Sequence, residues 1–128
     1  ASDVYKRQKE NSTTSGTGNI TLAGVASGQG NVTFNSGIGT SNTTYYCIFE
    51  QGTNTFEIGL GTLSGSTTLE RTTVINNSSG NTSKISFTGG TLDVFCTMPA
   101  AKTVYLDATG TPVGAASAGF ALAMAVAL

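Results

Sequence analysis

The stretch Phe56-Glu57-Ile58-Gly59-Leu60-Gly61-Thr62-Leu63-Ser64-Gly65-Ser66-Thr67-Thr68-Leu69-Glu70-Arg71-Thr72-Thr73-Val74-Ile75 decides the fold class. Apolar and polar residues alternate on both sides of a Gly/Ser-rich corner, the period of two that a two-stranded hairpin with one buried face requires. A tight turn near Ser64-Gly65 would bring Leu60 close to Leu69.

Outward from this hairpin the chain reads as strands and turns, with almost no helix signal. Upstream, Asn19 to Val25 alternates Ile20 and Leu22 with small polar residues, and Asn31 to Phe34 reads as a short strand between Gly-rich corners. Thr43 to Phe49 is an aromatic strand with Tyr45, Cys47 and Phe49 on one face and Tyr46 and Ile48 on the other. Apolar groups on both faces predict a central strand covered from two sides. Downstream, Lys84 to Phe87 is brief, and Thr91 to Met98 places Leu92, Val94, Cys96 and Met98 inward before Pro99 ends the ladder. Thr103 to Leu106 closes the series ahead of an Asp-Ala-Thr-Gly turn at Asp107. Short Thr-rich strands at regular spacing predict an all-β fold, a small antiparallel β-sandwich or barrel with an apolar C-terminal strand or tail.

Composition narrows the function classes. The 128 residues suit one modest core, and only 10% of them are charged. With a net charge of −1 there is no field to draw in nucleic acid or an anionic membrane. The chain has no histidine, which removes Ser-His-Asp and Cys-His catalysis. Paired-acid chemistry stays formally open, but Glu50, Glu57, Glu70, Asp93 and Asp107 read as solvated surface charges, and Arg71 as a surface or interface ion-pair partner. Gly16-Thr17-Gly18 and Gly59-Leu60-Gly61 read as strand bends, since neither precedes a Gly-Lys-Ser/Thr. Neither a cofactor nor a metal is expected, because two thiols without histidine do not complete a tetrahedral set. Those thiols, Cys47 and Cys96, read as buried small hydrophobes by default, with a disulfide between their strands as the alternative.

The hairpin also resembles a module of tailed-bacteriophage proteins, in which a Glu-(apolar)-Gly-(x)-Gly-Thr strand precedes a Leu-(x)-Arg-Thr-Thr-Val strand. Here those are Glu57 to Thr62 and Leu69 to Val74. The likeness extends upstream to Lys9 through Gly18 and Thr43 through Tyr46, and downstream to Asp93-Val94-Phe95 and Val104 through Asp107. It implies a structural protein of a virion: a tail appendage, fibre-base or capsid-decoration subunit. The expected partners are further copies of the chain and other virion proteins, and the expected location is the extracellular particle. The chain ends soon after the module, which favours a small assembly subunit over a long receptor-binding shaft.

The C-terminal segment Ala115–Leu128 carries no charge and alternates Phe120, Leu122, Met124, Val126 and Leu128 with alanine. It falls short of the roughly 20 apolar residues of a membrane span. A tail of this kind cannot stay in water. It reads either as a last core strand of its own subunit or as a strand shared with adjacent copies. In the second case those five side chains are the self-association residues, with pairing along the added strand.

The expected organisation is therefore an N-terminal arm at 1–8, a β-sandwich domain at 9–110 and an apolar assembly segment at 111–128. Residues Ser2 through Gln8 resemble a translated sequencing adapter, so the arm reads as non-native or disordered. The competing function is a secreted or surface glycan-binding module, with Tyr45, Tyr46 and Phe56 as stacking faces for a host-surface glycan.

Overall fold

The computed structural model describes residues 6–114, so Phe120, Leu122, Met124, Val126 and Leu128 lie outside the described residues. The chain divides into two compact units, Ala1–Thr97 and Met98–Leu128.

The first unit contains β1 (Lys9–Ser12), β2 (Ser15–Gly16), β3 (Ile20–Thr21), the single helical turn α1 (Phe34–Gly37), β4 (Thr43–Glu50), β5 (Phe56–Gly65), β6 (Thr68–Asn77), β7 (Phe87–Thr88) and β8 (Leu92–Cys96). Six strands form one antiparallel sheet in the order β1-β8-β4-β5-β6-β3, while β2 and β7 pair separately. The sheet is nearly closed and barrel-like. Just past β3, the Ala23 amide donates to the Asn11 carbonyl (2.8 Å) and the Asn11 amide to the Gly24 carbonyl (3.0 Å), so the two sheet edges meet. Closure removes the exposed edges that make open sheets prone to aggregation. Phe34, Tyr46, Ile48, Leu63, Leu69 and Val94 are among the side chains that fill the interior.

β4 is central, as its sequence predicts, with β8 on one side and β5 on the other. Only one of its faces lies in the core, however. Thr44, Tyr46, Ile48 and Glu50 are buried, whereas Tyr45 and Cys47 are half-exposed and Phe49 is 36% exposed.

The largest departure from expectation is in the hairpin. Its turn is Ser66-Thr67, not Ser64-Gly65, and Leu63 rather than Leu60 faces Leu69. β5 stays extended this far because Leu63 is bonded through both its amide and its carbonyl to Asn42 and Ser41 (2.9 and 2.7 Å). Its polarity is also reversed: Glu57, Gly59 and Gly61 point into the barrel, while Phe56, Ile58 and Leu60 lie half-exposed outside. Tyr46 supplies the interior volume that this arrangement needs. It sits opposite Gly59 in the β4–β5 register, and a Cβ at Gly59 would lie 2.6 Å from the Tyr46 hydroxyl oxygen and 2.5 Å from the Thr73 carbonyl oxygen. A Cβ at Gly61 would come within 2.8 Å of the same ring. The phenol occupies the volume that two strand side chains would otherwise need.

Other expectations shift locally. Asn31–Phe34 is not a strand: the Thr33 hydroxyl accepts from the Ser36 amide (3.1 Å) and caps α1 instead. At the start of the chain, Gln8 is fully buried and bridges to Val32, and the Arg7 guanidinium donates to the Gly30 and Gln29 carbonyls (both 3.0 Å). Arg7 and Gln8 thus belong to the fold rather than to a loose arm.

In the second unit, a 3-10 turn at Ala100–Lys102 leads to β9 (Tyr105–Leu106), which pairs with β10 (Pro112–Val113). The turn between them is organised by the Asp107 carboxylate, which accepts from the Thr109 and Thr111 amides (both 2.9 Å). Among residues 98–114 only Pro99 is buried. Met98, expected inward, is 58% exposed, because β8 ends at Cys96. Among the described residues no helix is long and apolar enough to cross a membrane.

The fit of Tyr46 over the glycines yields a direct expectation. Gly59→Ala forces a methyl against a backbone carbonyl that cannot move away, and should cost about 1–3 kcal/mol by overpacking. Thermal unfolding of the full chain checks this; an unchanged midpoint would refute the packing described.

Candidate functional site

The chemistry-bearing residues of the barrel converge on a buried lock. Arg71 and Glu57 both have fully buried side chains and form a two-pronged ion pair, Nε to Oε1 at 2.8 Å and Nη2 to Oε2 at 2.5 Å. Nη2 also donates to the Ile85 carbonyl (2.6 Å), and Nη1 to those of Gly18 (3.2 Å) and Gly16 (3.4 Å). A guanidinium has five N–H donors, and here five acceptors meet them. Glu57 is equally well supplied, accepting in addition from the Tyr46 hydroxyl (2.8 Å) and the Ile85 amide (2.7 Å). The Arg71 guanidinium also lies 5.4 Å from the centroid of the Phe87 ring. Burial, then the Glu57 charge, raises the Tyr46 phenol well above its ordinary range, so it stays a donor.

Two further carboxylates act in the same manner. Glu10 accepts from the Phe34 amide (2.8 Å) and the Gly24 amide (3.1 Å), fixing the start of α1 and the point where the barrel closes. Burial raises its pKa, and those two amides oppose the shift. Glu50 accepts from the Thr88 hydroxyl (2.5 Å) and the Thr88 amide (3.1 Å), which lowers its pKa and holds β7 to β4. The sequence reading of Glu50 and Glu57 as solvated surface charges is therefore corrected; Arg71, read as a surface or interface ion-pair partner, is in an ion pair, but a buried one. Each is buried, because each has backbone or hydroxyl partners that replace water. Arg71 pairs with Glu57 across the hairpin and not with its neighbour Glu70.

The charged atoms of Arg71 and Glu57 are occupied by partners within the same chain, and among the described residues no three His, Cys, Asp or Glu lie close enough to hold a metal ion. Cys47 and Cys96 are not joined in a disulfide. They lie on adjacent strands one residue out of register, since Cys47 faces Phe95 and Cys96 faces Tyr46. Neighbouring strand positions point to opposite faces, which separates the two sulfurs. Cys96 is in the core beside the Thr44 hydroxyl (3.3 Å). Cys47, read as inward from sequence, is on the outer face, where burial still pushes its thiol up to about 11.

The outside of the sheet carries a second set of apolar side chains. Three cross-strand pairs, Tyr45–Leu60, Cys47–Ile58 and Phe49–Phe56, run side by side on β4 and β5, with Phe95 of β8 next to Cys47. Asp93 of β8 stands directly opposite Phe49 of this row and forms an ion pair of 3.8 Å with Lys9 of β1. Of the aromatic residues considered for sugar stacking, Tyr46 is withdrawn into the core, while Tyr45 and Phe56 are half-exposed in this outer row. The row was not singled out from sequence, though a signal was present. A strand face made of Glu57, Gly59 and Gly61 carries too little volume to build a core unless a neighbour's large side chain fills it. The chain matches no family model, no curated protein and no solved structure.

Two substitutions test this account. Arg71→Lys keeps the charge but lacks the planar fork, so it should lose on the order of 3–5 kcal/mol, as breaking a buried pair does. That corresponds to a fall of roughly 10 °C or more in the unfolding midpoint; a shift of only a degree or two would contradict the lock. Thr88→Val removes the donor that lowers the Glu50 pKa. Stability from a lowered carboxylate is present above its unfolded value, about 4.3, and is lost as pH falls through the folded value. The deficit of Thr88→Val should therefore be largest near neutral pH and shrink below about pH 4. A pH-independent deficit would show that the hydroxyl does not act through the ionised carboxylate.

Proposed function

We propose that this chain is a non-enzymatic structural subunit of a phage virion, a tail appendage, fibre-base or capsid-decoration protein that acts by self-association and docking. The observation that carries the self-association is the exposure of Val104, Tyr105 and Leu106 at 60%, 51% and 66%, with Met98 and Val113 also exposed. Five large apolar side chains on a segment with almost nothing buried make an assembly surface, not a stable free unit. The sequence beyond Gly114, apolar and uncharged, continues the same character.

The virion setting rests on the resemblance of the hairpin to the phage module. The barrel adds indirect support. Glu57, Gly59, Gly61 and Arg71, which carry much of that resemblance, cooperate in the interior lock and so read as parts of a scaffold. A scaffold whose distinctive residues hold it together does its work through its surfaces.

The solution mass of the full chain, compared with that of a chain ending at Gly110, tests the assembly reading. A defined oligomer that becomes a folded monomer on truncation is expected; two identical monomers would remove it. Immunogold labelling of intact tailed particles from the source culture tests the setting. Label on the particles is the expected result, and its absence from them would overturn the virion assignment.

A further inference from the structure

We propose that the seam of the barrel is a proton-linked latch: the Glu10 carboxylate takes up a proton from water as the seam closes over it. This goes beyond the assembly reading and does not depend on it.

The seam joins β1 to the segment 22–34, and it is thin. The Lys9 amide donates to the Val32 carbonyl (3.1 Å), the Val32 amide to the Arg7 carbonyl (3.2 Å), and Asn11 makes its two bonds with Ala23 and Gly24. The Glu10 side chain adds two more across the same line, accepting from the Gly24 and Phe34 amides (3.1 and 2.8 Å). One carboxylate therefore holds the closing segment at two separate points. Glu10 is only 2% exposed, so closing the seam takes it out of water.

Among the described residues no cation pairs with it. Residues 22–33 and α1 contain no ionisable side chain. β8 presents Val94 opposite Glu10, and its Asp93 lies on the other face with Lys9, Asn11 and Gln51. The Arg7 guanidinium is turned to the Gln29 and Gly30 carbonyls, and Lys6 is exposed. Inside the barrel, Arg71 is taken up by Glu57, and Glu50 by Thr88. Glu57 thus has an arginine and Glu50 a hydroxyl, whereas Glu10 has two amides alone.

A carboxylate shut away from water without a cation holds a proton more strongly than one in solvent. Here burial outweighs the two amides and raises the pKa. The proton adds to one carboxylate oxygen, and the neutral carboxyl group keeps acceptor capacity for the amides. Stability from a raised carboxyl is fully present below its open-state value, about 4.3, and is lost as pH rises through the closed value. The seam is therefore tighter in mild acid than at neutrality.

Two measurements on the full chain test this. The Glu10 carboxyl carbon, followed by nuclear magnetic resonance, should titrate above about 4.3, and a midpoint at or below that value overturns the proposal. Hydrogen exchange of the Asn11, Ala23 and Gly24 amides, corrected for the intrinsic pH dependence of exchange, reads the opening of the seam. Its opening constant should fall from about pH 7 to about pH 4, by about tenfold for each unit between the closed and open values. Glu10→Gln, which has no proton to take up, should lose this dependence; the same dependence in both chains overturns the proposal. The titration needs no variant, so it decides the matter alone if Glu10→Gln does not fold.

Discussion

The fully buried pair of Arg71 and Glu57 is the constraint on which the rest of the barrel depends. Taking two charges out of water costs several kcal/mol for each ion, and their mutual attraction offsets this only when every remaining donor and acceptor is also met. Here that condition holds: five acceptors surround the guanidinium, and the carboxylate takes in the Tyr46 hydroxyl and the Ile85 amide as well. Because three of the Arg71 partners are carbonyls of Gly16, Gly18 and Ile85, the same pair draws the flanks of the small β2–β7 sheet to the barrel. A buried pair of this kind is weak evidence of net stability gained over an apolar core. Its stronger consequence is geometric, since it leaves β5 one choice of which face turns inward.

From that choice the surface follows. Glu57 inside means Gly59 and Gly61 inside, with the Tyr46 ring over them, and Ile58 and Leu60 outside. Glu10 and Glu50 repeat the pattern on a smaller scale, each carboxylate holding a loop or a short strand by its amides. The interior is thus unusually polar for so small a barrel, and the exterior of its central strands is unusually apolar.

Much of the architecture was legible in the sequence. The period-two alternation, the Thr-rich strands and the regular Gly/Asn/Ser corners indicate an antiparallel all-β fold, and the aromatic strand at Thr43–Glu50 is central as its two apolar faces suggest. The inward positions of Leu92, Val94 and Cys96 also follow from alternation alone. What was not legible is polarity. Alternation separates two faces without saying which is inside, and the usual assignment, apolar inward, fails on β5 because a tyrosine from the neighbouring strand supplies the missing volume. Arg71 and Glu57 are fourteen positions apart and meet only once the turn is placed at Ser66-Thr67, so their pairing was hidden by the misplaced corner. The helical turn at Phe34 depends on one Thr33 cap and on an amide held by Glu10, both too local or too distant for a pattern to reveal.

The central claim is that the Arg71 guanidinium is sealed inside the barrel on Glu57. Hydrogen exchange of the Arg71 Nε–H in the intact protein, followed by nuclear magnetic resonance at neutral pH, reads this most directly. A sealed proton bonded at 2.8 Å to a carboxylate should exchange orders of magnitude more slowly than that of a free arginine side chain. Exchange at the rate of a solvent-exposed arginine would place the charge in water, and with it would go the reason for the reversed polarity of β5.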